Sequence, residues 1–129
     1  MNNRVYAKEW IEFANKNLIT AKKLYEIDHF TDIIGVELQQ ALEKLLKSLL
    51  AFENKKIPKS HKLVEIVELT NIELTEKEKF LLEIATSYYK VDRYPNPNYF
   101  SPSKDEIEKV LKFTEGLFEK ICKSLEIKI

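Results

Sequence analysis

The sequence predicts an all-α protein, an antiparallel up-down bundle of about five helices, and three observations carry that expectation. Only two glycines and four prolines occur among 129 residues, well below the usual shares of about 7% and 5%, so turns are few and elements long. Apolar residues recur at spacings of three and four through several long segments, the period of one helix face. Serine or threonine followed three residues later by glutamate twice marks a helix start. A chain of this length fits a single domain over 1–129.

The first helix is expected over about 5–26, with Trp10, Phe13, Ala14, Leu18, Ala21, Leu24 and Tyr25 on its apolar stripe. Asp28 is the expected N-cap of a second helix over about 29–54, whose stripe of Ile34, Leu38, Ala41, Leu42, Leu45, Leu49 and Phe52 is widened by Leu46 and Leu50. So broad an apolar face predicts a central element, or one that also serves a subunit interface. After a turn containing Pro58, Ser60 is expected to cap a short helix bearing Leu63, Val64, Ile66, Val67 and Leu69. Thr75 and Glu78 form a capping box for a fourth helix with Leu81, Ile84, Ala85 and Tyr88 inward. That helix must finish near Arg93, because Pro95 disfavours helical geometry at Tyr94.

The segment from Tyr94 to Pro102 holds three of the four prolines and three aromatic residues, which predicts a stiff, shaped loop of the kind that often carries function. Ser103 and Glu106 repeat the capping pattern and open a last helix with Ile107, Val110, Leu111, Thr114, Leu117, Phe118, Ile121 and Leu125 on its stripe.

Twenty-one basic residues balance twenty-one acidic ones, which excludes the broad basic surface of an autonomous nucleic-acid binder and leaves room only for a local site. The single Cys122 rules out a disulfide framework within the chain, fits a reducing cytoplasm, and reads as a small buried hydrophobe. No Cys/His cluster offers a metal site, and no cofactor is implied. Neither a membrane-spanning run nor a signal-peptide core occurs, so the expected location is cytoplasmic. Glycine-rich phosphate loops, HExxH and nucleophile elbows are also missing.

Two constellations remain. On the second helix, Gln39, Gln40, Glu43, Lys44 and Lys47 form a polar face, which reads either as a solvated face with a Glu43–Lys47 pair or as groups oriented toward a ligand. The second is Arg93, one of only two arginines, whose planar fork suits a phosphate or carboxylate. A pairing with Asp92, or with the last carbonyls of the helix, is the alternative. His61 and His29 read as structural, the former hydrogen-bonded at a helix start and the latter solvated. Tyr88 reads as core, and Tyr89 as core rim one turn before Arg93.

With these residues in view, the chain resembles the HEPN family of small helical domains. The likeness rests on Trp10 and the Ala14, Ala21, Leu24 stripe, on the run Gln39-Gln40-Ala41-Leu42-Glu43-Lys44-Leu45-Leu46-Lys47, on His61-Lys62-Leu63, and on Arg93-Tyr94-Pro95. It extends over roughly residues 5–125. The resemblance implies a homodimer whose two sites share one cleft, and a separately encoded minimal nucleotidyltransferase as partner. In RNA-cleaving members an arginine is followed within four to six residues by a histidine. Here Arg93 matches the arginine, but Asn98, Tyr99 and Phe100 occupy the following positions and no histidine follows. The resemblance therefore implies a nucleotide- or RNA-binding component of a toxin–antitoxin-like pair, with Arg93, Tyr94, Asn96, Gln40 and Lys44 at the phosphate site and Tyr94 or Tyr99 open to adenylylation. The alternative is a metal-independent endoribonuclease toxin in which Arg93 is catalytic and works with an unconventional partner.

Overall fold

The computed structural model describes residues 3–91 and 101–129, the side chains of 90 and 91 excepted. Five helices lie among them: α1 (Arg4–Glu26), α2 (Thr31–Phe52), α3 (Leu63–Glu68), α4 (Glu76–Val91) and α5 (Lys104–Leu125). End-to-end contacts fix their directions. Asn3 N–H donates to the Phe52 carbonyl at 2.9 Å, joining the start of α1 to the end of α2. Tyr25 at the end of α1 donates to Glu108 at the start of α5 at 3.0 Å, and Tyr88 near the end of α4 donates to Glu106 at 2.6 Å. The long helices therefore run alternately up and down, as the sequence predicts, with α2 packed against all four others.

The inner face of α1 differs in detail from its expected stripe. Ala7, Ile11, Ala14, Leu18 and Ala21 are buried, a repeat of four and three that keeps one narrow seam against α2. Alanine at every seventh residue lets the two backbones approach closely. Phe13 lies off that seam and is 55% exposed, while Trp10, Leu24 and Tyr25 are half-buried against the core.

The start of α2 departs from expectation. Asp28 does not cap it; its φ of 60° places it in the left-handed turn after α1, where its carboxylate pairs with Lys104. The helix starts at Thr31 without a side-chain cap. Ser60 likewise does not cap α3, which begins at Leu63 after Lys62. Its hydroxyl accepts from the Lys62 N–H at 3.1 Å, a local turn that competes with helix. Thr86 of α4 performs the capping role instead, its Oγ1 accepting from the Leu63 N–H at 3.2 Å. The capping box of α4 is present in both directions, Thr75 N–H to Glu78 at 2.9 Å and Glu78 N–H to Thr75 at 3.1 Å. On α4 the buried positions are Leu82, Ala85 and Tyr88, with Leu81 and Ile84 only partly covered. Cys122 is half-buried, and burial pushes its thiol pKa up.

The two glycines make opposite predictions. A Cβ on Gly35 would meet Cγ of Tyr88 at 2.9 Å, and that ring is buried and anchored to Glu106. Gly35→Ala is expected to lose about 1–2 kcal/mol, the overpacking cost less the helix-propensity gain. Nothing lies within 4 Å of a Cβ on Gly116, so Gly116→Ala should gain about 0.5–1 kcal/mol. Urea unfolding of both variants checks the contrast in sign.

Candidate functional site

The polar residues of α2 divide into two groups that face different neighbours. Gln40 and Lys44 look toward α1. Lys44 Nζ donates to Asn17 Oδ1 at 2.7 Å, and Asn17 Nδ2 donates to Glu37 at 2.9 Å and to Gln40 at 3.4 Å. The exposed Phe13 ring lies 5.9 Å from Lys44 Nζ. Both predicted residues are thus engaged with the first helix.

Gln39, Glu43 and Lys47 follow one another at single turns on an adjacent strip. Lys47 Nζ lies 2.9 Å from Glu43, with side-chain exposures of only 6% and 14%. A solvated surface pair is excluded by that burial. Coverage comes from two sides: the Trp10 ring, 6.0 Å from Lys47 Nζ, and the segment before α3, which brings His61 Nδ1 to 3.0 Å from Glu43 Oε1. Gln39 is fully buried, and its Nε2 donates to Glu43 at 3.0 Å and to the His61 carbonyl at 3.2 Å. His61 is thus hydrogen-bonded just ahead of α3, with its partners on α2. It is clamped by side chain and backbone onto the polar strip of α2.

Burial of Glu43 by itself would raise its carboxyl pKa, but hydrogen bonds from Lys47, His61 and Gln39, and the lysine's charge, outweigh it and hold the group below the ordinary carboxylate range. A lowered folded-state pKa stabilises the fold above the unfolded value and loses that contribution as pH falls through the folded one. The stability gap between wild type and Glu43→Gln should be full at neutral pH and shrink as pH drops below about 4.5. Urea unfolding at neutral and strongly acidic pH measures it; an equal gap at both would contradict the assignment.

The outer side of His61 opens on a cavity of about 350 Å³ lined by Ser60, His61, Lys62, Thr86, Ser87 and Tyr89. Tyr89 stacks on the imidazole, ring centres 4.1 Å apart and planes 17° from parallel. The lining thus offers hydroxyls, one ammonium and a flat aromatic pair. It faces the last turns of α4, the helix that leads to Arg93. Arg93, Tyr94, Asn96 and Tyr99 lie outside the described residues, as does the rest of the proline-rich segment before Ser101. Neither Gln40 nor Lys44 lines this cavity. Two buried polar atoms, Trp10 Nε1 and Gln39 Oε1, have no hydrogen-bond partner in the described structure. Among the described residues, no group of three or more His, Cys, Asp or Glu gathers to hold a metal, and no helix is long and apolar enough to cross a membrane.

Sequence reasoning passed over this arrangement because its two halves are 18 residues apart and only the fold joins them. One signal was available: a Gln39, Glu43, Lys47 ladder at one-turn spacing, beside the separate Gln40, Lys44 pair on the same helix.

The five-helix up-down bundle is a HEPN-like fold. The HEPN domain family model matches residues 7–125, and the chain belongs to that family. Among solved structures, TT1696 from Thermus thermophilus is similar at 21% identity, with a TM-score of 0.78 over 95% of this chain and 98% of that one. ST0689, an archaeal HEPN homologue, is similar at 18% identity, with a TM-score of 0.72 over 92% of this chain and 97% of that one. At these identities the likeness is one of fold. No functionally curated protein matches the chain.

Proposed function

We propose that this HEPN-domain protein is the nucleotide- or RNA-binding component of a toxin–antitoxin-like pair, acting as a homodimer with a separately encoded minimal nucleotidyltransferase and without the usual ribonuclease histidine. The observation that carries the reading is the cavity at the end of α4, where the His61–Tyr89 stack and the lining hydroxyls meet, Tyr89 standing four residues before Arg93 in the sequence. An aromatic pair takes a base face, and an arginine takes a phosphate. Titration of ATP and of a short RNA against wild type and Arg93→Ala tests it. Loss of a charged hydrogen bond, about 1.5–3 kcal/mol, predicts affinity lower by roughly 10- to 100-fold in the variant; equal binding by both proteins contradicts the site. Adenylylation of Tyr94 or Tyr99 predicts a mass shift, removed by phosphodiesterase, in protein coexpressed with the neighbouring nucleotidyltransferase.

One observation favours the alternative, an endoribonuclease using Arg93. Glu43 holds Nδ1 of His61 at 3.0 Å, the arrangement that fixes an imidazole's tautomer and leaves Nε2 to move a proton. His61 is the unconventional partner in that reading. Growth arrest on expression, relieved by Arg93→Ala and by His61→Ala, would establish it over the non-catalytic reading.

A further inference from the structure

The loop between α2 and α3 concentrates charge that the neutral total conceals. Lys55, Lys56, Lys59 and Lys62 occupy half of the eight positions 55–62. Lys55 pairs with Glu53 at 3.5 Å and donates to the Leu69 carbonyl at 3.3 Å, and Lys62 lies 3.6 Å from Glu65. For Lys56 and Lys59, both exposed, no anionic partner occurs among the described residues.

The loop is also held in shape. Asn54 adopts a φ of 58°, and the Lys55 N–H returns to the Leu50 carbonyl at 2.9 Å, closing the end of α2. Ile57 packs against the core, and Pro58 fixes the next step. Lys55, Lys56 and Lys59, with Leu50, Ile57 and Leu69 among their neighbours, line an open concavity of about 840 Å³. The chain then passes directly into Ser60, His61 and Lys62, which line the His61–Tyr89 cavity. A basic trough and an aromatic platform are therefore joined end to end by consecutive residues.

We propose that segment 55–62 is a track for the phosphodiester backbone of a single-stranded nucleic acid, leading one end of the strand to the His61–Tyr89 platform. Basic grooves that follow the backbone beside aromatic stacking positions are how single strands are bound without sequence readout. A strand with one base at the platform can lay successive phosphates along Lys59 and then Lys56, two and five residues before His61, whereas a mononucleotide offers phosphate at one end only. This inference rests on the nucleotide-binding reading of the cavity and adds the class of ligand, a strand rather than a free nucleotide.

The test compares wild type, Lys56→Gln/Lys59→Gln and a control, Lys8→Gln/Lys128→Gln, which removes the same charge from exposed positions elsewhere. ATP, single-stranded RNA, single-stranded DNA, duplex DNA and an acidic peptide of matched charge are each titrated at several salt concentrations. For the single strands, the slope of log affinity against log salt should fall in magnitude by about 1.4 in the loop variant, from two lost phosphate contacts at about 0.7 each. ATP affinity should fall less than strand affinity, and the control should keep the wild-type slope. The RNA and DNA arms decide which strand is preferred. The proposal is overturned if no strand binds wild type, if the slope is unaltered in the loop variant, if the control lowers it equally, or if the duplex or acidic peptide binds as well as the strands. Its failure is separable from failure of the cavity: ATP binding that is lost in Arg93→Ala but survives with an unaltered strand slope in the loop variant removes only the track.

Discussion

Glu43→Ala should destabilise the protein by about 3–5 kcal/mol, the cost of leaving one partner of a buried ion pair behind. Lys47 is 6% exposed and its ammonium lies 2.9 Å from the carboxylate, so truncating Glu43 leaves a buried cation facing the Trp10 ring. In the same step His61 Nδ1 loses its Glu43 partner and Gln39 Nε2 loses one of its two acceptors. The penalty comes from stranding charge, not from the pair being a strong source of stability. Replacing both members with apolar residues, Glu43→Leu with Lys47→Met, should therefore recover most of the loss, as expected when desolvation offsets attraction. Urea unfolding of the two variants measures both. A loss under 1 kcal/mol for Glu43→Ala would mean that the pair is solvated in solution, which the covering segment around His61 argues against.

The second large effect belongs to the core. Leu45→Ala should cost about 2–5 kcal/mol, since Leu45 is fully buried on the helix that packs against every other, and a cavity there cannot collapse without moving several neighbours. Leu49, one turn on, is only half-buried and borders a groove open to solvent. Leu49→Ala should cost clearly less. Equal losses at the two sites, measured in the same unfolding experiment, would contradict a central α2.

Helix positions were readable because the period of three and four is imposed by burial on one side, and burial dominates each long helix here. The box of Thr75 and Glu78 was readable because its chemistry is local. Where a distant contact decides, the pattern misled. Phe13 sits at a correct spacing for the stripe but is displaced outward by an alanine seam suited to close approach of α1 and α2. Asp28 has the right chemistry for a cap, yet the left-handed turn it occupies pairs it with Lys104 instead. Ser60 makes its own turn, and α3 takes its cap from Thr86, 23 residues away.

The candidate site divides in the same way. Gln40, Lys44 and the Glu43–Lys47 spacing were visible as a polar face, but an (i, i+4) pair looks identical on solvent-exposed and buried helices. Its burial depends on His61 and Trp10, which approach from other parts of the chain. The sequence pattern drew attention to Arg93 as a rare arginine before a stiff loop; the fold adds, on the described part of α4, Tyr89 stacked on an imidazole that a buried carboxylate holds.

The most direct measurement is an NMR titration of the isotopically labelled protein with ATP. Binding at the cavity should shift the His61 ring and the Ser60, Lys62, Thr86 and Tyr89 amides progressively and leave Asn17, on the α1 face, and Ser124, on the last turn of α5, unmoved. Shifts confined to the Asn17–Lys44 face, or no change at the His61 ring at saturating ATP, would contradict it.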